Sequence, residues 1–333
     1  MKRYNIYIDG KWINSTSNKS FETKNPATGE ILATFPLGTK EDTIKAIDSA
    51  ERAFPMWKKT PAPNRGEIIL QAASIMKQRK NKLGEIVTKE IGKIIAEGEG
   101  DVQESIDFLE YIAGEGRRLL GETTTSELKE KFAMTIRQPI GVVGCITPWN
   151  FPTAIPCWKI GAALVSGNTV VFKPASLTPL CAAKLVEIFD EAGLPAGVLN
   201  FVPGPASVVG NEIVGNPRVS AISFTGGVEA GVDVYTKAAK ILKNVDLELG
   251  GKNPQIIMDD ANIDLAIDGG IFGAFGSQGQ RCTATSRLII HEKVYDEVMS
   301  KLIERTKALK IGNPLDPEMG MGPLSCEQQL KTV

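Results

Sequence analysis

Histidine is almost missing from this chain: its 333 residues contain one, His291, directly after the apolar run Leu288-Ile289-Ile290. A catalytic Ser-His or Cys-His pair would have to use it. The end of a strand is a partly exposed place that histidine commonly occupies without a chemical role, so any general base here is expected to be a carboxylate. Cysteine is sparse too. Cys145, Cys157, Cys181, Cys282 and Cys326 are five in number, widely spaced and without a C-x-x-C pair. That pattern argues against a disulfide framework or zinc ribbon and fits reduced thiols in a cytoplasm, with no metal site expected. Excess charge is also missing. With 38 basic and 39 acidic side chains the net charge is -1, which points to neither a nucleic acid nor a membrane surface as partner. No apolar run approaches the length of a bilayer span, and the residues following Met1-Lys2-Arg3-Tyr4 lack a signal-type apolar core. What remains is an ordinary globular composition, 42% hydrophobic and 23% charged, in a chain long enough for two domains.

The pattern along the chain divides it. Residues 4–13 alternate around Asp9-Gly10 and read as a β-hairpin, and Asn25-Pro26-Ala27-Thr28-Gly29 is a second turn. From about residue 40 to 120 apolar residues recur at helical spacing, as at Ile44, Ile47 and Ala50, then Ile68, Ile69, Ala72, Ala73 and Met76, with Pro61 and Pro63 between two helices. Residues 132–137 read as a strand isolated by polar linkers. It is either an arm that pairs with another subunit or an internal strand of the main sheet. After Pro139, strands at 140–146, 169–173, 198–202, 219–224 and 244–249 alternate with helices. Short apolar strands joined by helices predict a parallel sheet covered on both faces, with ligands at the strand C-termini. Further strands at 255–258 and 287–290 flank a helix at 264–275, and 292–309 is helical.

The strand ends carry the chemistry. After Ile146 come Thr147-Pro148-Trp149-Asn150, where an asparagine amide can donate to an oxyanion or simply make a turn. After Phe172 come Lys173-Pro174-Ala175-Ser176, a lysine and a hydroxyl suited to a ribose or phosphate. After Phe224, Gly226 and Gly231 have the spacing of the outer glycines of a dinucleotide fingerprint, but Val228 takes the middle position. Glu248 lies between Leu247 and Leu249, and apolar neighbours can raise a carboxylate into the range of a general base. Gly279-Gln280-Arg281-Cys282-Thr283 places a thiol beside a glycine turn, at a loop or helix start, where free N–H groups favour the thiolate. A buried structural cysteine is the competing account of that residue.

Pro148-Trp149-Asn150, Phe224-Thr225-Gly226, Leu247-Glu248-Leu249-Gly250-Gly251-Lys252 and Gly279-Gln280-Arg281-Cys282 together resemble, in order and spacing, the aldehyde dehydrogenase superfamily. The resemblance covers the whole chain. Arg281-Cys282-Thr283-Ala284-Thr285-Ser286-Arg287 and Gly121-Glu122-Thr123-Thr124 further resemble the branch that oxidises semialdehydes such as α-ketoglutarate semialdehyde. The resemblance implies an α/β fold with a Rossmann-type cofactor domain (residues 1–120 and 140–249), an oligomerisation β-arm (121–139) and a second α/β catalytic domain (250–333). It implies Cys282 as nucleophile, Asn150 as oxyanion donor and Glu248 as the base that hydrolyses a thioester. Acyl transfer to coenzyme A, used by relatives lacking this glutamate, is the less expected outcome.

For the cofactor, the resemblance implies contacts from Thr147, Pro148, Trp149, Lys173, Ser176, Gly204, Gly226, Gly227, Gly231 and Leu249. For the substrate, it implies contacts from Phe151, Trp158, Arg281 and Thr283. Two positions depart from the family pattern. Ser176 stands where many NAD-preferring members have a glutamate, which removes the repulsion of a 2′-phosphate and predicts use of both NAD and NADP. Gly227 replaces a serine common beside the pyrophosphate. Members of the family usually continue well past the equivalent of Val333, so the resemblance implies a C-terminally truncated catalytic domain. The expectation is an NAD(P)-dependent aldehyde dehydrogenase, a homodimer or homotetramer at full length; the alternative is a non-catalytic nucleotide-binding fragment of one.

Overall fold

The computed structural model describes residues 2–333, and its centre is a seven-stranded sheet. The strand order is Asn244–Leu249, Val219–Gly226, Val142–Ile146, Thr169–Lys173, Leu199–Phe201, Ile6–Ile8 and Lys11–Ile13. The first five are mutually parallel. The last two are the N-terminal hairpin, antiparallel to each other, with Ile6–Ile8 antiparallel to Leu199–Phe201. Its turn has φ 56° at Asp9 and 74° at Gly10, the left-handed pair that twists with the strands.

Side-chain alternation along the strands makes two cores from one sheet. Val143, Cys145, Val170 and Phe172 face a cluster supplied by the helices Ala62–Gln78, Lys80–Ile91, Ile95–Glu115, Ala154–Val165 and Pro179–Glu191. Val142, Ile146 and Val171 face the opposite cluster, covered by Lys40–Trp57, Asn211–Gly215 and Val228–Ala239. Every residue of Val142–Ile146 and Thr169–Lys173 is buried, as a doubly covered parallel sheet requires.

Several expectations need correction. Pro63 does not separate two helices; it lies in the first turn of Ala62–Gln78, where a missing N–H costs nothing. Phe132–Met134 pairs with Thr123–Thr125 in a separate two-stranded sheet rather than with the main one. The helix expected at 292–309 opens with a tight turn at Glu292–Val294, capped by His291, and runs as Tyr295–Lys307. The chain after Leu249 builds a second, parallel pair, Asn253–Ile257 with Thr285–Ile290, joined through the helix Ile263–Phe275. Its small core holds Ile257, Ile267 and Val298.

Candidate active site

The C-terminal ends of four parallel strands open on one cavity of about 550 Å³, lined by Thr147, Pro148, Trp149, Asn150, Lys173, Gly226, Gly227, Leu249 and Cys282. A parallel sheet delivers its strand ends to one edge, so residues far apart in sequence meet there.

Cys282 reaches the cavity on an unusual loop. After Phe275 the chain enters a tight turn in which Ser277, Gln278 and Gly279 all have positive φ, at 50°, 57° and 70°. Two of the three are not glycine, and each costs on the order of 1 kcal/mol of backbone strain. Bonds from distant segments hold the turn: Ser277 N–H donates to Glu97 Oε1 at 2.7 Å, Gln278 Nε2 to the Gly92 carbonyl at 2.6 Å, and Ser325 N–H to Gln280 Oε1 at 3.1 Å. The thiol is presented on a loop leading to the strand Thr285–Ile290, not at the start of a helix. Cys282 is exposed, whereas Cys145, Cys157 and Cys181 are buried. Burial pushes the Cys145 thiol up to about 12 and raises Cys157 and Cys181 as well. The buried-cysteine account therefore fits those three and fails for Cys282.

Asn150 lies beside this loop. Its Nδ2 donates to the Gln280 carbonyl at 2.9 Å, which leaves the second amide proton free, and its Oδ1 is buried without a partner. Glu248 is placed differently from expectation. Residues of an edge strand alternate, so Leu247 and Leu249 pack toward one core while Asp246 and Glu248 are exposed on the other face. The flanking leucines thus do not enclose the carboxylate. Glu248 lines a neighbouring open groove of about 830 Å³ with Trp158, Lys159, Ser223 and Asp246, and Leu249, one residue on, lines the Cys282 cavity. Buried Lys159 donates to Ser223 Oγ at 3.0 Å and lies 3.8 Å from Asp246; burial lowers its pKa against the opposing pull of Cys145, Asp246 and Glu248.

Lys173, at the end of the strand Thr169–Lys173, is buried, its ammonium donating to the adjacent Pro174 carbonyl at 3.0 Å, and desolvation lowers it to about 8. The helix Val228–Ala239 starts at Gly227 with no side-chain cap, so its first N–H groups are available beside the cavity. Gly231 acts in packing: a Cβ there would come within 2.5 Å of Leu249 Cδ2. Gly204 does likewise against Gly38, whose N–H donates to Pro203. Ser176 Oγ donates to the Gly204 carbonyl at 3.5 Å and lines a separate cavity of about 650 Å³ with Thr23, Glu90 and Leu177.

Of the substrate candidates, Trp158 lines the Glu248 groove, whereas Phe151 lines neither the groove nor the Cys282 cavity and instead lies 3.5 Å beneath the Lys93 ammonium. Arg281 borders the Cys282 cavity, but its guanidinium turns away to the Phe272 and Gly273 carbonyls at the end of Ile263–Phe275, and stacks on the Phe272 ring. It thereby satisfies a helix C-terminus. Thr283 is exposed. His291 accepts from Lys293 N–H as a turn cap. Sequence reasoning missed Gln329, which the last helix, Glu327–Thr332, brings to the cavity wall, and Lys159, whose one signal is a charge inside the apolar run Ile155–Val165.

Residues 12–333 match the model of the aldehyde dehydrogenase family. The chain is 42% identical over 328 residues to an α-ketoglutaric semialdehyde dehydrogenase of Bacillus subtilis, covering 98% of this chain and 67% of that protein. It is 40% identical over 331 residues to an NADP(+) succinate-semialdehyde dehydrogenase of Escherichia coli, covering 99% and 69%. An E. coli NADP-dependent enzyme superposes with a TM-score of 0.97 at 39% identity, covering 99% of this chain and 69% of that one. A Staphylococcus aureus betaine aldehyde dehydrogenase bound to NAD+ superposes at 0.96 and 36% identity, covering 98% and 66%. The exposed thiol, the asparagine amide and the lysine and helix start that share its cavity are thus set in a fold shared along nearly the whole chain, and this chain belongs to the aldehyde dehydrogenase family.

Proposed function

We propose that this protein oxidises an aldehyde, foremost a semialdehyde, to the carboxylic acid with NAD+ or NADP+, and that Cys282, Asn150 and Glu248 carry the chemistry. The observation that supports it is that the exposed Cys282, Asn150, Lys173 and the uncapped helix start at Gly227 all line one cavity, with the Asn150 amide bonded to the Cys282 loop at Gln280.

The residues present fit a dinucleotide. The free N–H groups at Gly227 suit a pyrophosphate, and the buried Lys173 ammonium, bonded to a single neighbouring carbonyl, suits ribose hydroxyls. Thr147, Pro148, Trp149, Gly226 and Leu249 form the walls. When bound, the dinucleotide supplies the hydride acceptor. Cys282 Sγ, having given its proton to the solvent that its exposure admits, bonds to the aldehyde carbon while the C=O π pair moves to oxygen. The second Asn150 amide proton and the Cys282 N–H stabilise that oxyanion. As the C=O re-forms, the C–H pair leaves as hydride and a thioester remains on Cys282. Glu248 takes a proton from the water that attacks this thioester; the C–S bond breaks, the thiolate is restored and the acid departs. The groove that Glu248 shares with Trp158 gives water and aldehyde their approach. Residues 1–120 with 140–249 form the cofactor domain, 250–333 the catalytic portion, and 121–139 an oligomerisation arm. Ser176 places no carboxylate against a 2′-phosphate, which admits NADP.

The test is a panel of semialdehydes and neutral aldehydes with NAD and NADP, read by reduced-nicotinamide absorbance. Turnover with both cofactors is expected, none in Cys282→Ser, and in Glu248→Gln one burst of reduced cofactor followed by a stall as the thioester accumulates. Oxidation retained by Cys282→Ser would overturn the nucleophile, and strict dependence on NAD the cofactor assignment. Absence of turnover, with dinucleotide binding retained and iodoacetamide labelling Cys282 no faster than the partly exposed Cys326, would favour the nucleotide-binding fragment.

A further inference from the structure

The donor and the nucleophile arrive on separate loops, and one short segment holds both. Residues 92–101 link the helix Lys80–Ile91 to the first turns of Ile95–Glu115. Toward the Cys282 loop, the Gly92 carbonyl accepts from Gln278 Nε2 at 2.6 Å and Glu97 Oε1 accepts from Ser277 N–H at 2.7 Å. These are the two non-glycine residues of that turn with positive φ. Toward the Asn150 loop, Asp101 Oδ1 accepts from Thr153 Oγ1 at 2.7 Å and from Ala154 N–H at 2.8 Å, which caps Ala154–Val165 in place of Thr153. Asp101 Oδ2 accepts from Lys93 Nζ at 3.2 Å, and Lys93 covers the ring of Phe151, the neighbour of Asn150, at 3.5 Å. The side chains of this ion pair are 1% and 0% exposed. The Asn150 bond to Gln280 at 2.9 Å then closes the circuit from one loop to the other.

We propose that Lys93, Glu97 and Asp101 are positioning residues that clamp the two loops as one unit and so set the approach of the Asn150 amide to the Cys282 thiol. The inference rests on the proposed roles of Cys282 and Asn150. A buried ion pair holds its geometry tightly because either partner alone would be an uncompensated charge. Its oxygens are divided: one serves the Asn150 loop, the other the lysine. Asp101→Asn therefore keeps the acceptor for Thr153 and Ala154 while turning a donor toward Lys93. Lys93→Met removes the cation, and the double variant is neutral again.

The experiment measures hydrogen exchange across residues 147–157 and 276–283, together with kcat and KM for an aldehyde and affinity for the dinucleotide. Lys93→Met and Asp101→Asn singly should speed exchange in both segments and lower kcat about 100-fold, the scale of a 1 Å misplacement, with dinucleotide affinity unchanged. The double variant should recover both readouts. Glu97→Ala, the milder change, touches only the Cys282 loop, and it should also speed exchange in 147–157. Exchange confined to the loop that each altered residue touches would overturn the clamp, as would unchanged kcat when both loops loosen. A wild-type chain without turnover refutes the reading of the site rather than the clamp, which the exchange data then decide on their own.

Discussion

At Lys173 the proposed dinucleotide contact is set against stability. Its strand end buries it at 4% exposure and desolvation holds it near 8, below the 10.5 of a free lysine. A lysine whose folded pKa is depressed binds its proton more weakly in the native state, so native stability rises with pH between about 8 and 10.5 and carries the full penalty below 8. Lys173→Met is expected to stabilise the ligand-free chain at pH 7 by up to about 3 kcal/mol while weakening dinucleotide binding. In the wild type, that binding should fall as pH rises through 8 and the ammonium is lost. Urea unfolding and dinucleotide titration at pH 7 and 9.5 check both arms. The position of this lysine at a ligand edge was legible in sequence, since a strand followed by Lys173-Pro174 marks an end. Its desolvation was not, because burial depends on residues from other strands. Glu248 makes the converse case: its neighbours in sequence are apolar, yet pleating points them to the other face.

Among the elements, the helix Pro179–Glu191 depends on a remote anion. It has no side-chain cap of its own, and Glu90 on the helix Lys80–Ile91 accepts from Leu180 N–H and Cys181 N–H at 2.8 Å each and from Thr23 Oγ1 at 2.9 Å. Complete burial raises Glu90 to about 7 despite these donors. For an acid so raised, the native state binds the proton more tightly; this contribution is full below about 4.5 and is lost as pH climbs to 7. Glu90→Gln, which keeps an acceptor, should flatten the stability profile between pH 5 and 8, whereas Glu90→Ala should cost about 1–3 kcal/mol by orphaning two buried N–H groups. Denaturant titrations across that range distinguish the two. The extents of most helices followed from their periodicity, and the hairpin from Asp9-Gly10. The left-handed backbone at Ser277 and Gln278 could not be read that way: no residue type announces it, and Glu97 and Gly92, which hold it, come from a distant segment.

At the scale of the whole molecule the open faces matter most. Phe132 is 71% exposed, Ile136 63% and Met134 58%, all on or beside the two-stranded arm. Contiguous exposed apolar surface of this kind marks an association face. The arm is expected to make the chain self-associate, with sedimentation coefficients that rise with concentration, and Phe132→Asp with Met134→Asp should shift it to a slower species. A wild type that sediments independently of concentration would refute the arm's role. No helix among the described residues is long and apolar enough to cross a membrane.

By itself the sequence determined the alternation of strands and helices and the parallel sheet, because periodicity is a local property of the chain, and it offered Cys282, Asn150 and Lys173 only as candidates. Tertiary structure alone decided which of those groups meet. It set Asn150 against Gln280, turned Arg281 onto a helix end, put Glu248 and Cys282 in adjoining cavities and drew Gln329 into the wall. Contacts between residues far apart in sequence arise from how the layers pack, and their long-range hydrogen bonds exist only once the sheet has brought its strand ends to one edge.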